Sequence, residues 1–118
     1  MTDLVAVLST GKGTWGHVAQ LVKDSRFETI FLITNAFGKE KFTAPANAQF
    51  VVVDPQKPLQ ELVSDIYGGL KDKIHDTEVA FNFISGSGKE HMAVLSALLR
   101  LGLGIRLVVA AQEGVEEL

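Results

Sequence analysis

Residues Asn82–Leu99 read NFISGSGKEHMAVLSALL. The first of them continue an apolar run that starts at Glu78. Gly86 and Gly88 then interrupt it around Ser87, and a helical pattern follows from Lys89. A strand that gives way to a helix through small residues is the repeating unit of α/β folds with a parallel sheet.

The same unit recurs on both sides of this stretch. Residues 3–9 (DLVAVLS), 28–34 (ETIFLIT), 49–54 (QFVVVD), 78–85 (EVAFNFIS) and 104–110 (GIRLVVA) are β-rich. Most are continuously apolar, as strands covered on both faces are. A first helix is predicted over about Trp15 to Asp24. A second starts at Pro58 and places Leu59, Leu62, Val63, Ile66 and Leu70 on one face, with a break predicted at Gly68 and Gly69. A third runs from Lys89 to Leu101 and stops at Gly102. The link NAFGKEKFTAPANA (35–48) has room for one short helix. The expected fold is α/β: a Rossmann-like, doubly wound parallel sheet of five strands in the order 3-2-1-4-5. Its switch point lies between strands one and four.

The chain has 118 residues, read as a single domain over 1–118. Almost half of it, 47%, is apolar, so a core can form without covalent staples. It has no cysteine, which excludes disulfides, thiolate metal sites and cysteine nucleophiles. His17, His75 and His91 are scattered without paired carboxylates, so no metal or other cofactor is expected. A net charge of −3 argues against a duplex nucleic-acid partner. The start MTDLVAVLST lacks the features of a signal peptide and no run is long enough to span a bilayer. The expected setting is therefore cytoplasmic, without a membrane partner.

Two loops carry the chemistry. After strand one, Gly11, Gly13 and Gly16 spell GxGxxG between a strand and a helix. The dinucleotide reading also requires an acidic residue after strand two, where this chain has Asn35. After strand four, Gly88 and Lys89 resemble the end of a Walker A loop, but Phe83 stands at the upstream glycine and Glu90 at the magnesium-binding hydroxyl. What is left is a pair of glycine-bearing loops with exposed backbone donors, a helix N-terminus and the Lys89 charge. In the order 3-2-1-4-5 they meet. Ser9, Thr10, Gly11, Lys12, Gly13, Ser85, Gly86, Ser87, Gly88 and Lys89 then share one crevice suited to a phosphate-bearing nucleotide. His91, one turn further on, is either a ligand contact or an ordinary surface or core histidine. Trp15 either stacks on a base or packs on the sheet. Asn35 and Asp54, at the ends of strands two and three, are either ligand contacts or caps.

Strand four with FNFISGSGKEHMAVLSALL resembles the Asn-x-Thr-Gly-Gly-Thr-Lys loop of CRISPR-associated Rossmann-fold (CARF) domains, and the Ser/Thr-Gly loop after strand one resembles that family's first ligand motif. Asn82 stands somewhat earlier than in the family, Ser85–Gly88 replaces Thr-Gly-Gly-Thr, and Lys89 matches the terminal lysine. The resemblance implies a homodimer that binds cyclic oligoadenylate across its two-fold axis in CRISPR-linked antiviral signalling. Such a chain is either a stand-alone sensor or a metal-independent ring nuclease that cleaves the ring. In the second case the catalytic roles fall on Ser9 or Thr10 and on Lys89, with Gly11, Lys12, Gly13, Asn35, Ser85, Gly86, Ser87, Gly88 and His91 as ligand contacts.

One feature outside the loops bears on assembly. The third helix, MAVLSALLRLGLGI in its later part, is apolar nearly all round, more than one sheet can cover, so part of it is expected to meet a second copy. The readings from other classes are a mononucleotide or dinucleotide (NAD-type) module and an interaction protein whose loops do no chemistry.

Overall fold

The computed structural model describes residues 2–9 and 12–118. In chain order they form β1 (Thr2–Leu8), a 3-10 turn (Lys12–Thr14), α1 (Trp15–Val22), β2 (Phe27–Thr34), α2 (Ala36–Lys41), β3 (Ala48–Val52), α3 (Leu59–Leu70), β4 (Glu78–Asn82), α4 (Gly88–Arg100), β5 (Gly104–Ala111) and β6 (Gly114–Glu117). The strands make one sheet in the order β3-β2-β1-β4-β5-β6. Pairs from β3 to β5 are parallel, and β6 returns antiparallel on β5.

The order 3-2-1-4-5 is therefore present, but the sheet has six strands and not five. The sixth has no sequence signal of its own, since QEGVEEL has no apolar run. Gln112 and Glu113 form a two-residue turn between the paired Ala111 and Gly114, and only Val115 reaches the core. Arg106 pins this hairpin to the sheet from outside, bonding Glu78 at 3.0 Å and Glu117 at 2.9 Å.

Burial of both sheet faces explains the uninterrupted apolar strands. Val5 and Val7 of β1 face α3 and α4, together with Phe31, Ile33, Val79 and Phe81. Leu4, Ala6 and Leu8 face α1 on the other side, with Ile30, Leu32 and Val108. As the central strand, β1 is almost without solvent contact from Leu4 to Leu8.

Two expectations about helices are corrected or refined here. α3 does not break at its glycines but runs through Gly68 and Gly69 to Leu70. A Cβ on Gly69 would stand 2.6 Å from Val51 Cγ1, so the missing side chain lets the helix close on β3, and the buried Leu70 holds the last turn. α4 does stop at Gly102, whose φ of 75° completes a Schellman end: Gly102 N–H donates to Leu99 O and Leu103 N–H to Leu98 O. The link between β2 and β3 holds the short α2, capped by Asn35 Oδ1 on Gly38 N–H at 2.9 Å. Among the described residues no helix is long and apolar enough to cross a membrane.

Large apolar side chains stay exposed on the loop after β4, on α4, on β5 and after β6. Phe83, Ile84, Met92, Leu95, Leu99, Leu107 and Leu118 are all exposed. Two apolar clefts run through them, one between Phe83 and Leu107, the other between Phe83 and Met92, and both are floored by Phe81.

Candidate functional site at the ends of β1 and β4

Strand β4 ends sooner than its sequence suggests, at Asn82 rather than Ser85. The cause is local. Asn82 turns its side-chain carbonyl onto the Ile84 N–H at 3.2 Å, an Asx turn that bends the chain out of the sheet. Phe83 and Ile84 thus belong to the loop, and the loop is longer than the glycine-serine core alone.

Asn82 is buried, and its amide reaches Val108 O at 2.8 Å and His17 Nε2 at 3.2 Å. The same His17 nitrogen accepts the backbone N–H of Ala110 at 3.2 Å. With two donors on Nε2, the ring proton sits on Nδ1. This junction ties α1, β4 and β5 together directly under the site. Sequence reasoning set His17 aside as a scattered histidine, and no local motif marks it: its partners lie 65 and 93 residues away.

The two loops do meet. Ser85, 1% exposed, accepts the Ser9 N–H on its Oγ at 2.8 Å. Ser9 O in turn accepts the Trp15 indole N–H. The carbonyl of Ser85 accepts from His91 Nε2 at 2.8 Å, and the His91 ring packs on Phe83 with centroids 5.0 Å apart. His91 is therefore committed to holding the loop. Gly86 follows at φ 106°, and a Cβ there would lie 2.8 Å from Val7 Cγ1 and 3.2 Å from His91 Nε2. Only glycine passes between β1 and the His91 ring in this conformation.

Ser87 caps α4. Its Oγ accepts the Glu90 N–H at 3.3 Å while Glu90 Oε1 accepts the Ser87 N–H at 2.8 Å. The Ser-x-x-Glu spacing of a capping box was legible at Ser87–Glu90 and accounts for the acidic residue where a Walker A loop has its hydroxyl. Beyond the box, the amides of Gly88 and Lys89 have no intrahelical partner, as in any first helical turn. Lys89 is exposed and in no ion pair among the described residues.

Thr10 and Gly11 lie outside the described residues. Lys12 enters them through its backbone, at the first position of the 3-10 turn. A Cβ on Gly13 or Gly16 would meet open space, so neither glycine provides the close helix–strand packing that gives a dinucleotide fingerprint its third glycine. Asn35 is one strand away from the meeting loops and caps α2. Trp15 packs against Phe37 and Phe42, with centroids 5.9 Å and 5.7 Å away.

The site as a whole combines two loops joined through Ser9 and Ser85, the first-turn amides of α4 and, among the described residues, the exposed Lys89. That set can hold an anion and stabilise charge growing on it. Among the described residues no three His, Asp or Glu side chains gather as a metal would require. No protein-family model matches the chain, and no curated protein matches it.

Proposed function

We propose that this chain is a CARF-like sensor domain that binds cyclic oligoadenylate at the loops after β1 and β4, as a homodimer, in CRISPR-linked signalling. One observation carries the reading: the Ser9–Ser85 hydrogen bond fuses the two glycine-bearing loops into one platform at the switch point of the sheet. Lys89 stands at its rim as an uncommitted positive charge beside the first-turn amides of α4. The exposed apolar side chains start at the same loop, at Phe83, so a second copy seated there brings two platforms to one axis.

Ring cleavage is the second half of the proposal. A ribose 2′-hydroxyl lies next to its own phosphodiester. Its oxygen attacks phosphorus in line as the P–O5′ bond breaks, its proton passes to water, and the departing 5′-oxygen takes a proton from water, leaving a 2′,3′-cyclic phosphate and a 5′-hydroxyl. Ser9 or Thr10 would orient the attacking hydroxyl and Lys89 would meet the charge on the phosphate. The test is titration of the chain with cyclic tetraadenylate and hexaadenylate, linear oligoadenylate, NAD and ATP, followed by product chromatography. Lys89→Ala should weaken cyclic ligand binding by about 1.5–3 kcal/mol, the scale of a charge-assisted hydrogen bond. Equal binding by both proteins would make Lys89 a bystander. Binding without linear product would leave a sensor and no nuclease.

A further inference from the structure

The row of strand ends that starts at the two loops continues into a cleft they do not occupy. Leu8 pairs with Thr34 and Thr34 with Val52, so Ser9, Asn35 and Val53 end three neighbouring strands at steps of about 4.8 Å. Beyond Asn35 opens a cleft of about 540 Å³, lined by residues of the β2 and β3 ends and by Asp65 of α3. Its apolar surface comes from Val52, 45% exposed, with Ala36, Val53 and Pro55.

Its polar groups are half used. Asn35 Oδ1 is engaged by Gly38 N–H, and its Nδ2 has no partner among the described residues. Asp54 Oδ1 is engaged by Gln56 N–H at 2.9 Å, which leaves its second oxygen as an acceptor. Lys57 and Asp65 close the outer wall as an ion pair at 2.9 Å and so offer no net charge to a phosphate. A matching ligand brings a flat apolar surface together with hydroxyls that both donate and accept. A ribonucleoside has both.

We propose that this cleft is a ribonucleoside subsite, with the sugar diol on Asn35 and Asp54 and the base against Val52. The inference extends the reading of the double loop as a phosphate site. Ser9 and the end of β3 are two strands apart, on the order of 10 Å, which one nucleotide spans.

Amide chemical shifts of ¹⁵N-labelled protein test it, with adenosine, 2′-deoxyadenosine, adenosine monophosphate and inorganic phosphate as probes. Adenosine should move Val53, Asp54 and Gln56, and the monophosphate should move these and also Ser9 and Ser85. Asp54→Ala should weaken adenosine about tenfold, and 2′-deoxyadenosine should lose a similar factor on wild type but not on the variant. Val52→Arg, which fills the cleft without touching the Asp54 turn, should abolish the adenosine response. Adenosine that leaves these amides still, or binds both variants as it binds wild type, overturns the subsite. Phosphate acting at Ser9 and Ser85 with adenosine silent removes the subsite and leaves the phosphate reading standing. Adenosine in the cleft with no response at Ser9 or Ser85 to either phosphate-bearing probe supports the subsite and removes the phosphate reading instead.

Discussion

Two serines in one loop do different work, and the difference can be measured. Ser87 is exposed and caps a helix, while Ser85 is buried with its Oγ on the Ser9 N–H. Removing the Ser85 hydroxyl leaves that amide without a partner, so Ser85→Ala should destabilise the fold by about 1–3 kcal/mol in urea unfolding. Lys89→Ala should leave the same transition where it is, because an exposed first-turn lysine contributes no core and faces the positive end of the helix dipole. An unchanged Ser85→Ala midpoint would mean that the loops are not joined through this bond. At the far end of β1, Asp3 shows the opposite balance. Burial pushes its carboxyl up from 3.8, only partly offset by the Thr29 N–H, and Glu28 and Asp76 push it further. A raised value in the fold means that the native state holds the proton more tightly than the unfolded chain. Stability contributed by this group is present below 3.8 and falls as pH rises through the raised value. Asp3→Asn keeps the acceptor for Thr29 and removes the charge. Its stability relative to wild type should therefore grow as pH rises across that window and level off above it. A difference that shrinks with rising pH would contradict the burial argument.

Elements repeat the same contrast at larger size, with the adjacent glycines of α3 as a matched pair. A Cβ on Gly68 meets open space, and one on Gly69 meets Val51. Gly68→Ala should stabilise by about 0.5–1 kcal/mol through helix propensity. Gly69→Ala should be less stable than Gly68→Ala by about 1–3 kcal/mol, and Val51→Ala should close part of that gap. Equal effects at the two sites would show that the helix is not held against β3. This pair also shows where sequence reading stops. Propensity marks both glycines as weak points, yet contact with a strand formed from residues 48–52 decides that the helix continues. The parallel strands and their order were legible because burial on both faces leaves no polar alternation, and because each strand is followed by a helix or a glycine turn. The meeting of the two loops followed from that order alone. The hydrogen bonds that hold the meeting did not, since Ser9–Ser85 and His17–Asn82 join residues 76 and 65 positions apart. The capping box at Ser87–Glu90 is local and could have been read.

On the scale of the whole molecule, the apolar residues that cannot all be buried decide the assembly. α4 has two apolar faces: Ala93, Val94, Ala97 and Leu98 lie against the sheet, whereas Met92 and Leu99 remain 58% and 62% exposed. Phe83, Ile84, Leu95, Leu107 and Leu118 are exposed as well: Ile84, Leu107 and Leu118 line one cleft with Phe83, while Met92 and Leu95 line a second cleft beside Phe83. A standard interface takes about 800 Å² from each partner, and a second copy placed here would cover these side chains. A two-fold axis running along α4 beside Leu95 would set the helix next to its own copy with both N-termini at the same end, so that the two platforms face one side of the dimer. Light scattering at micromolar concentration should then give twice the 12.8 kDa chain mass. Leu95→Glu would bury two like charges at that axis and should raise the dimer dissociation constant at least about a hundredfold, the scale of an uncompensated charge in an interface. Leu95 is partly exposed, so the circular dichroism of the variant should stay that of wild type, which separates lost assembly from lost folding. A wild-type chain that runs as a monomer would remove the dimer. If that monomer still bound a cyclic oligoadenylate with full affinity, the ring would have to sit on one platform, and the exposed apolar side chains would need a different partner.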